Sequence, residues 1–387
     1  MQSSRAEADT PTSFQTDQVM TVVGGHFTHD TYSAFLAPLL PLIQEKLSLS
    51  YGALGGLAVF MQLPGLLNPF IGYLADKVSL RYFVIFAPAV TATLMSAVGL
   101  APSYVSLVFL LMATGLSTAC FHAPAPAMVA EISGGRVGTG MSLFMAGGEL
   151  GRTVAPVVAV AAVGWFGLEG LWRLMFVGWA VSGILYLRLR DLKAQSAGKG
   201  VLPWEKARYV FPPLAWLLVA RGLLVGAVTT FLPTFMNDVL GSSLWLAAAS
   251  LTILEGAGVA GALFAGTLSD RWGRRSVLFV LLVVAPFALF AFLISPGWAL
   301  APLLVVLGFT ALSPTPVMLA VVQDEFPDNR ALANGTYLAL NFLFLGLGVW
   351  LVGVFADQFG LRAAFGWSGV IALLSLPAVA LLPKRAA

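Results

Sequence analysis

Eight ionisable side chains stand inside long apolar stretches of this 387-residue sequence, at depths where a charge is costly and usually serves function. They are His26, His29, Asp30, His122, Glu149, Arg152, Arg221 and Glu255. All three histidines of the chain are among them. Carboxylates and imidazoles at such positions can carry protons, whereas a guanidinium binds anions. The chemistry that we predict for them is proton exchange and ion recognition.

Asp30 is the principal candidate for carrying a proton, with His29 or His122 as the relay. His26 lies four residues before Asp30, on the same helix face, and His29 is adjacent to Asp30. Burial penalises the charged form of an acid and of an imidazole, which favours exchange of a proton between them. A fixed hydrogen-bonded brace between helices is the alternative. A metal site formed by His26, Asp30 and His122 is another, although Cys120 is the only further ligand nearby and points away.

Arg221 is the predicted anchor for an anionic group of a solute, because guanidinium binds carboxylate or phosphonate with two parallel hydrogen bonds. Without solute its partner would be Asp30, and a permanent ion pair between these two residues is the alternative. The predicted solute-binding set also contains Tyr32, His26, Tyr337 and Asn341.

The composition indicates that lipid is the solvent of these side chains. Hydrophobic residues make up 58% of the chain and charged residues only 10%, whereas a soluble domain carries roughly a quarter charged residues. A single cysteine excludes a disulfide framework. The net charge of +3 is no argument for nucleic-acid binding, because most of the basic residues fall in the loops on one side of the membrane.

About 20 apolar residues are needed to cross a bilayer core of roughly 30 Å as a helix. Twelve runs satisfy this requirement, near 17–40, 51–74, 83–101, 104–130, 138–165, 170–189, 209–236, 243–266, 276–295, 299–322, 331–356 and 363–383. The predicted fold class is therefore an all-α membrane protein with twelve transmembrane helices.

The distribution of Lys and Arg predicts the orientation. Most of the 21 basic residues fall in loops on the same side as the two termini, which places both termini in the cytoplasm. Residues 1–16 are polar and lack the pattern of a signal peptide, so they are predicted to form a cytoplasmic tail.

One long polar loop, 190–208, divides the chain into an N-terminal bundle, 17–189, and a C-terminal bundle, 209–387, of six helices each. A repeat supports this division, because Asp76 and the glycine and leucine before it recur 194 residues later around Asp270. Two parallel six-helix halves around a central site are a transporter architecture.

The repeated loop motif is complete at 266–275, where the residues read G-x-L-x-D-R-x-G-R-R. In the first copy Ser79 replaces the last glycine and Leu80 replaces one base. Twelve spans with this motif in each half resemble the major facilitator superfamily. Stretches 25–42, 120–136 and 147–156 further resemble the fosmidomycin-resistance type of exporter, although Ala123 departs from its pattern and the second half matches only the superfamily.

This resemblance implies an efflux protein driven by protons, with a small anionic, antibiotic-like or metabolic ligand. It also implies that helices 1, 4 and 7 line a central cavity and that helices 5 and 8 meet between the halves. An Arg152–Glu255 bridge would then close the outer side in one state and break in the other, with a static brace as the alternative. Glu149, three residues from Arg152, is the second candidate for protonation.

The motif loops are predicted to act as latches, in which an acid accepts hydrogen bonds from a neighbouring helix N-terminus and the bases bind carbonyls, acids or lipid. Basic residues that serve only to set the topology are the alternative. The predicted latch residues are Asp76, Asp270, Arg271 and Arg275.

We therefore predict a proton-coupled secondary active transporter that exports a small organic solute, anionic or drug-like, by alternating access. A coupled importer of a small metabolite is the alternative, and a metal-ion transporter a further one. The sequence holds neither a P-loop nor a catalytic triad, so no enzymatic activity and no cofactor are expected. The predicted partners are protons, the solute and the lipid bilayer, for a monomer in a bacterial inner membrane.

Overall fold

The computed structural model describes residues 13–75, 80–192, 204–326 and 330–383, and within these ranges the chain is helical with no strand. Eleven helical segments are long and apolar enough to cross a membrane. The predicted first span is helical too, but it carries His26, His29 and Asp30 and is not among those eleven. We number the helical segments in chain order as spans 1–12.

The bounds of the spans follow the predicted runs closely. In the first half, span 1 is Thr16–Ser33 with Leu36–Leu47, span 2 is Tyr51–Gln62, Leu63–Leu67 and Asn68–Ala75, span 3 is Arg81–Ser96, span 4 is Tyr104–His122 with Ala125–Ile132, span 5 is Val137–Phe166, and span 6 is Met175–Leu189. In the second half, span 7 is Trp204–Gly226, Ala227–Phe231 and Leu232–Asp238, span 8 is Leu244–Trp272, and span 9 is Arg274–Ile294. Span 10 is Gly297–Leu312 with Pro314–Glu325, span 11 is Arg330–Phe359, and span 12 is Leu361–Leu373 with Leu376–Leu381. Span 7 begins inside the predicted linker, and Asp76 lies outside the described residues.

Several spans are interrupted next to prolines. Span 4 breaks before Ala125, next to Pro124, and span 10 breaks just before Pro314. In span 7 a π-helical turn, Ala227–Phe231, precedes Pro233. Proline has no backbone N–H, so each one removes a helical hydrogen bond and leaves a carbonyl oxygen without its usual donor. These breaks supply polar backbone groups within the apolar bundle.

The interior is continuous at one end of the bundle and divided at the other. We call the end that holds Tyr51 and Asp357 the far end, and the end that holds the first and last helical residues the termini end. The largest group of buried apolar residues lies toward the far end and draws on both halves, with Leu40 and Leu54 packed in one core with Phe231. Toward the termini end, one core lies within spans 1–6 and another within spans 7–12. The halves therefore share an apolar core toward the far end, while spans 2 and 11 also pack together toward the termini end, where Gly335 lies against Pro69.

Polar contacts reinforce the junction at the far end. The backbone N–H groups of Tyr51 and Gly52, at the start of span 2, donate to the two carboxylate oxygens of Asp357 in span 11, at 2.7 and 2.9 Å. The Tyr51 hydroxyl donates to Asp238 Oδ2 in span 7 at 2.9 Å. The first amides of a helix lack intrahelical acceptors, and a carboxylate there is favoured by the helix dipole. Asp357 thus caps a helix of the opposite half.

We expect Asp357→Asn to loosen the far end, because an amide has one acceptor oxygen for two N–H donors and carries no charge. A lost helix cap costs about 1 kcal/mol. The measurement is the thermal midpoint of the purified protein in detergent, followed by tryptophan fluorescence.

Asp191→Asn is the matched control, since Asp191 is exposed and pairs only with the adjacent Arg190 among the described residues. Its thermal midpoint should equal that of the unchanged protein. Equal midpoints for Asp357→Asn and the unchanged protein would contradict the capping role.

Candidate proton and solute site

Span 5 presents a face of glycines to span 1, and this face positions the candidate proton site. A Cβ atom on Gly147 would meet Val23, and one on Gly148 would overlap the His26 ring and lie 2.9 Å from Asp30 Oδ2. Because glycine has no side chain, the two helices approach closely enough for His26 and Asp30 to rest directly on the span 5 backbone. The site is therefore built on a helix crossing that a larger residue would open.

His26, Asp30 and His122 form one cluster between spans 1 and 4. His26 Nε2 lies 3.3 Å from Asp30 Oδ2, and His122 Nε2 lies 3.4 Å from Asp30 Oδ1. The two Nε2 atoms are themselves 3.3 Å apart. Asp30 and His26 are each 3% exposed. A buried carboxylate is thus bracketed by two imidazoles, one from its own helix and one from span 4.

The opposite ring nitrogens define which atoms can carry protons. His26 Nδ1 contacts the carbonyl oxygen of Phe144 at 2.8 Å, and His122 Nδ1 contacts that of Thr118 at 3.0 Å. A carbonyl oxygen only accepts, so both Nδ1 atoms are donors. In a neutral imidazole the other nitrogen then holds a lone pair. Two neutral rings would therefore direct two lone pairs at each other and at a carboxylate, an arrangement that requires an additional proton or a cation.

The same three side chains have the donor set of a small metal site. One ligand atom from each of His26, Asp30 and His122 lies within 4.8 Å of the others. Backbone carbonyls orient both rings through Nδ1, as they do for many metal-bound histidines. The geometry fits either a shared proton or a divalent ion with further ligands.

His29 occupies a different environment from the one that its position beside Asp30 predicts. Its side chain is fully buried, and neither ring nitrogen has a hydrogen-bond partner within the described residues. The ring stacks on Phe121 with centroids 4.5 Å apart. Adjacent helical residues point about 100° apart, whereas residues four apart share a face. That spacing could have identified His26 rather than His29 as the closer partner of Asp30.

A second charged group lies where spans 5 and 8 cross. Arg152 donates to Glu149 Oε2, and their side chains are 43% and 26% exposed. Glu255 of span 8 interacts electrostatically with Arg152, but the two do not form an ion pair in this part of the structure. A Cβ on Gly256 would lie 3.4 Å from Thr153, so Glu255 and Arg152 flank the crossing. The predicted bridge is absent here, because Arg152 pairs within its own helix.

Arg221 does not meet Asp30 in this structure, contrary to the predicted pairing. It is 5% exposed and donates through Nη2 to the carbonyl oxygen of Ala311 in span 10 at 2.7 Å. The guanidinium points into the C-terminal half rather than toward spans 1 and 4, so a contact with Asp30 is not formed. Its role as a solute anchor stays a prediction.

The predicted aromatic solute contacts are engaged in packing. Tyr32 and Tyr337 are both buried, and their hydroxyls donate to the carbonyl oxygens of Leu174 at 2.5 Å and Thr315 at 3.4 Å. Asn341 is partly exposed, one helical turn from Tyr337. In this state the two tyrosines connect helices, and a role for them in solute binding stays a prediction.

The second-half motif loop forms a charged network at the termini end. Arg274 contacts Asp270 at 2.8 Å and Asp324 of span 10 at 3.2 Å. Arg275 donates to the carbonyl oxygen of Leu382 beyond span 12, and Arg271 is exposed. Asp270 therefore pairs with a base of its own motif, and within the described residues no bond joins it to a neighbouring helix N-terminus.

Comparison with known proteins agrees with this architecture. A family model described as Major Facilitator Superfamily matches residues 22–296 and 251–387. The chain is 24% identical over 374 residues to the fosmidomycin resistance protein of Escherichia coli K12, covering 93% of this chain and 91% of that one. It is 25% identical over 377 residues to a probable 4-methylmuconolactone transporter of Cupriavidus pinatubonensis, covering 91% and 86%.

A solved structure has the same fold. It is a bacterial homologue of the human lysosomal transporter Spinster in an inward-facing, unoccupied conformation, with a TM-score of 0.79 and 18% identity over 97% of this chain and 98% of that one. The predicted all-α membrane fold is thereby confirmed. Together with the family model, which matches most of its length, this establishes that the chain belongs to the Major Facilitator Superfamily of small-solute transporters.

Proposed function

We propose that this transporter exports a small organic solute in exchange for protons, with His26, Asp30 and His122 as the proton site. The observation that carries the proposal is the 3.3 Å separation of two Nε2 atoms whose rings already donate through Nδ1 to carbonyl oxygens. An added proton turns this contact from repulsive to attractive. Occupancy by a proton therefore changes how strongly spans 1 and 4 hold each other.

Arg152 provides the connection from the proton site to the second half. It interacts electrostatically with Asp30, Glu149 and Glu255. When the cluster loses its proton, the uncompensated carboxylate of Asp30 attracts Arg152 more strongly and weakens its pair with Glu149. Because Glu255 lies on span 8 of the opposite half, a change in the position of Arg152 alters the contact between the halves. Glu149 is the second proton carrier in this scheme.

The divided interior supports alternating access in this proposal. The halves share one core toward the far end and have separate cores toward the termini end. With both termini in the cytoplasm, this arrangement corresponds to a state closed on the outside. Similarity to the fosmidomycin resistance protein supports export, and we assign the chain to a bacterial inner membrane, where it acts as a monomer.

We expect Asp30→Asn and His26→Gln to abolish solute-driven proton movement, because each removes one acceptor of the shared proton. Purified protein is reconstituted in liposomes that contain a pH-sensitive dye, and fosmidomycin is the first solute in a panel of organic acids and amines. Proton flux upon solute addition should fall to the level of empty liposomes in both variants.

His29→Gln is the matched control for the hydrogen-bonded cluster, since the His29 ring contacts that of His122 at 5.5 Å between centroids but its nitrogens have no hydrogen-bond partner in the described structure. Size-exclusion profiles verify that each variant is folded. Full proton flux in Asp30→Asn would contradict the proposed proton site. Solute transport by the unchanged protein that does not depend on the pH gradient would contradict proton coupling.

A second expectation concerns the glycine beneath the cluster. Gly148→Ala should reduce proton-coupled transport at least about tenfold, since the added methyl group overlaps His26 and displaces a proton-binding side chain, and a shift of reacting groups by about 1 Å has effects of this order or larger. Gly164→Ala, in the same helix but with no atom within 4 Å of the added methyl, should leave the rate unchanged. Similar rates for the two variants would show that close packing at Gly148 is unimportant.

The alternatives give distinct results in the same liposomes. A coupled importer accumulates the solute in the direction of proton flow, whereas an exporter moves it against that flow. Transport of Zn²⁺ without an organic solute would favour the metal-ion alternative. That alternative is tested because His26, Asp30 and His122 bring three possible ligand atoms together.

A further inference from the structure

A buried arginine without a counter-charge stands inside the C-terminal half. Arg221 lies on span 7 and is 5% exposed. One hydrogen bond, from Nη2 to Ala311 O, is the polar contact that its guanidinium makes in the described part of the chain, and Nε has no partner there. Among the described residues, no carboxylate forms an ion pair with Arg221.

The guanidinium borders a small cavity next to a proline inside span 9 and the proline break of span 10. Pro286 of span 9 and Pro314 of span 10 line it, together with Leu282, Thr310 and Arg221. Leu282 and Thr310 are each four residues before a proline, so their carbonyl oxygens lack the usual helical donor. These oxygens are acceptors and do not bind an anion, so the N–H donors for an anion come from Arg221. The free space is on the order of one water molecule or one halide ion.

The charge balance of this pocket is incomplete. Arginine does not deprotonate in proteins, and a buried guanidinium is normally matched by a carboxylate, a phosphate or another anion. Carbonyl dipoles satisfy N–H donors, but they do not supply a unit of negative charge. The described surroundings of Arg221 offer dipoles and apolar side chains without an acid.

We propose that a compact monovalent anion of about the size of chloride binds in this cavity against Arg221. The anion neutralises the guanidinium and accepts hydrogen bonds from its remaining N–H groups, which ties span 7 to span 9 near Pro286 and to the broken span 10. The site is separate from the proton cluster and lies wholly in the other half. It replaces Asp30 as the counter-charge of Arg221.

The test compares anions at constant ionic strength. Purified protein in detergent is transferred from sodium gluconate, whose anion is too large for the cavity, to sodium chloride, bromide or acetate. The thermal midpoint should rise in chloride and bromide. Acetate distinguishes the source of the anion, since a rise in acetate that exceeds the rise in chloride indicates the carboxylate of a solute rather than a free halide.

Two variants locate the effect. Arg221→Gln should lose the difference between chloride and gluconate, whereas Arg152→Gln should retain it. Ala372→Leu fills the cavity from span 12 while keeping Arg221, so the difference in thermal midpoint between chloride and gluconate should disappear in this variant as well. It replaces Arg221→Gln in the test if Arg221→Gln does not fold.

An equal midpoint in chloride and gluconate for the unchanged protein would overturn the proposal, as would an undiminished chloride effect in Arg221→Gln or in Ala372→Leu. The measurement involves no transport. Its outcome therefore stands whether or not the protein exchanges solute for protons.

Discussion

The central interaction of this structure is the contact of one buried carboxylate with two imidazoles. Asp30 touches His26 and His122 within a membrane-spanning bundle, and both rings have their other nitrogen committed to a backbone carbonyl. Such a cluster is stable only with a shared proton or a cation. Close packing of spans 1 and 5 over Gly148 shields Asp30 and His26 from water, which strengthens their interaction, whereas the His122 side chain is 29% exposed.

The two ends of the bundle are constructed differently. At the far end a continuous apolar core and the Asp357 cap on span 2 hold the halves together, while toward the termini each half has its own core. A transporter must be able to separate one end while the other stays closed. The far-end contacts are a helix cap and side-chain packing, which can form and break without leaving a buried charge unpaired.

The charged side chains inside each half have their polar partners within that half. In the first half the carboxylate of Asp30 is matched by imidazoles, and Arg152 is matched by Glu149. In the second half Arg221 has a carbonyl and no acid among the described residues. Arg152 and Glu255 are the charged pair that approaches across the boundary. In the proposed mechanism, communication between the halves depends on electrostatic attraction at this crossing, where the described residues form no ion pair between Arg152 and Glu255.

The sequence by itself determined the solvent, the helical fold, the family and the set of buried ionisable residues, because these follow from hydropathy, a repeated motif and the cost of charge in lipid. Tertiary structure alone decided the partners. His26, four residues from Asp30, lies in the cluster while the adjacent His29 does not. Arg221 donates to the Ala311 carbonyl, next to the break in span 10, and not to Asp30. Sequence spacing fixes faces within one helix, but contacts between helices depend on how the helices pack.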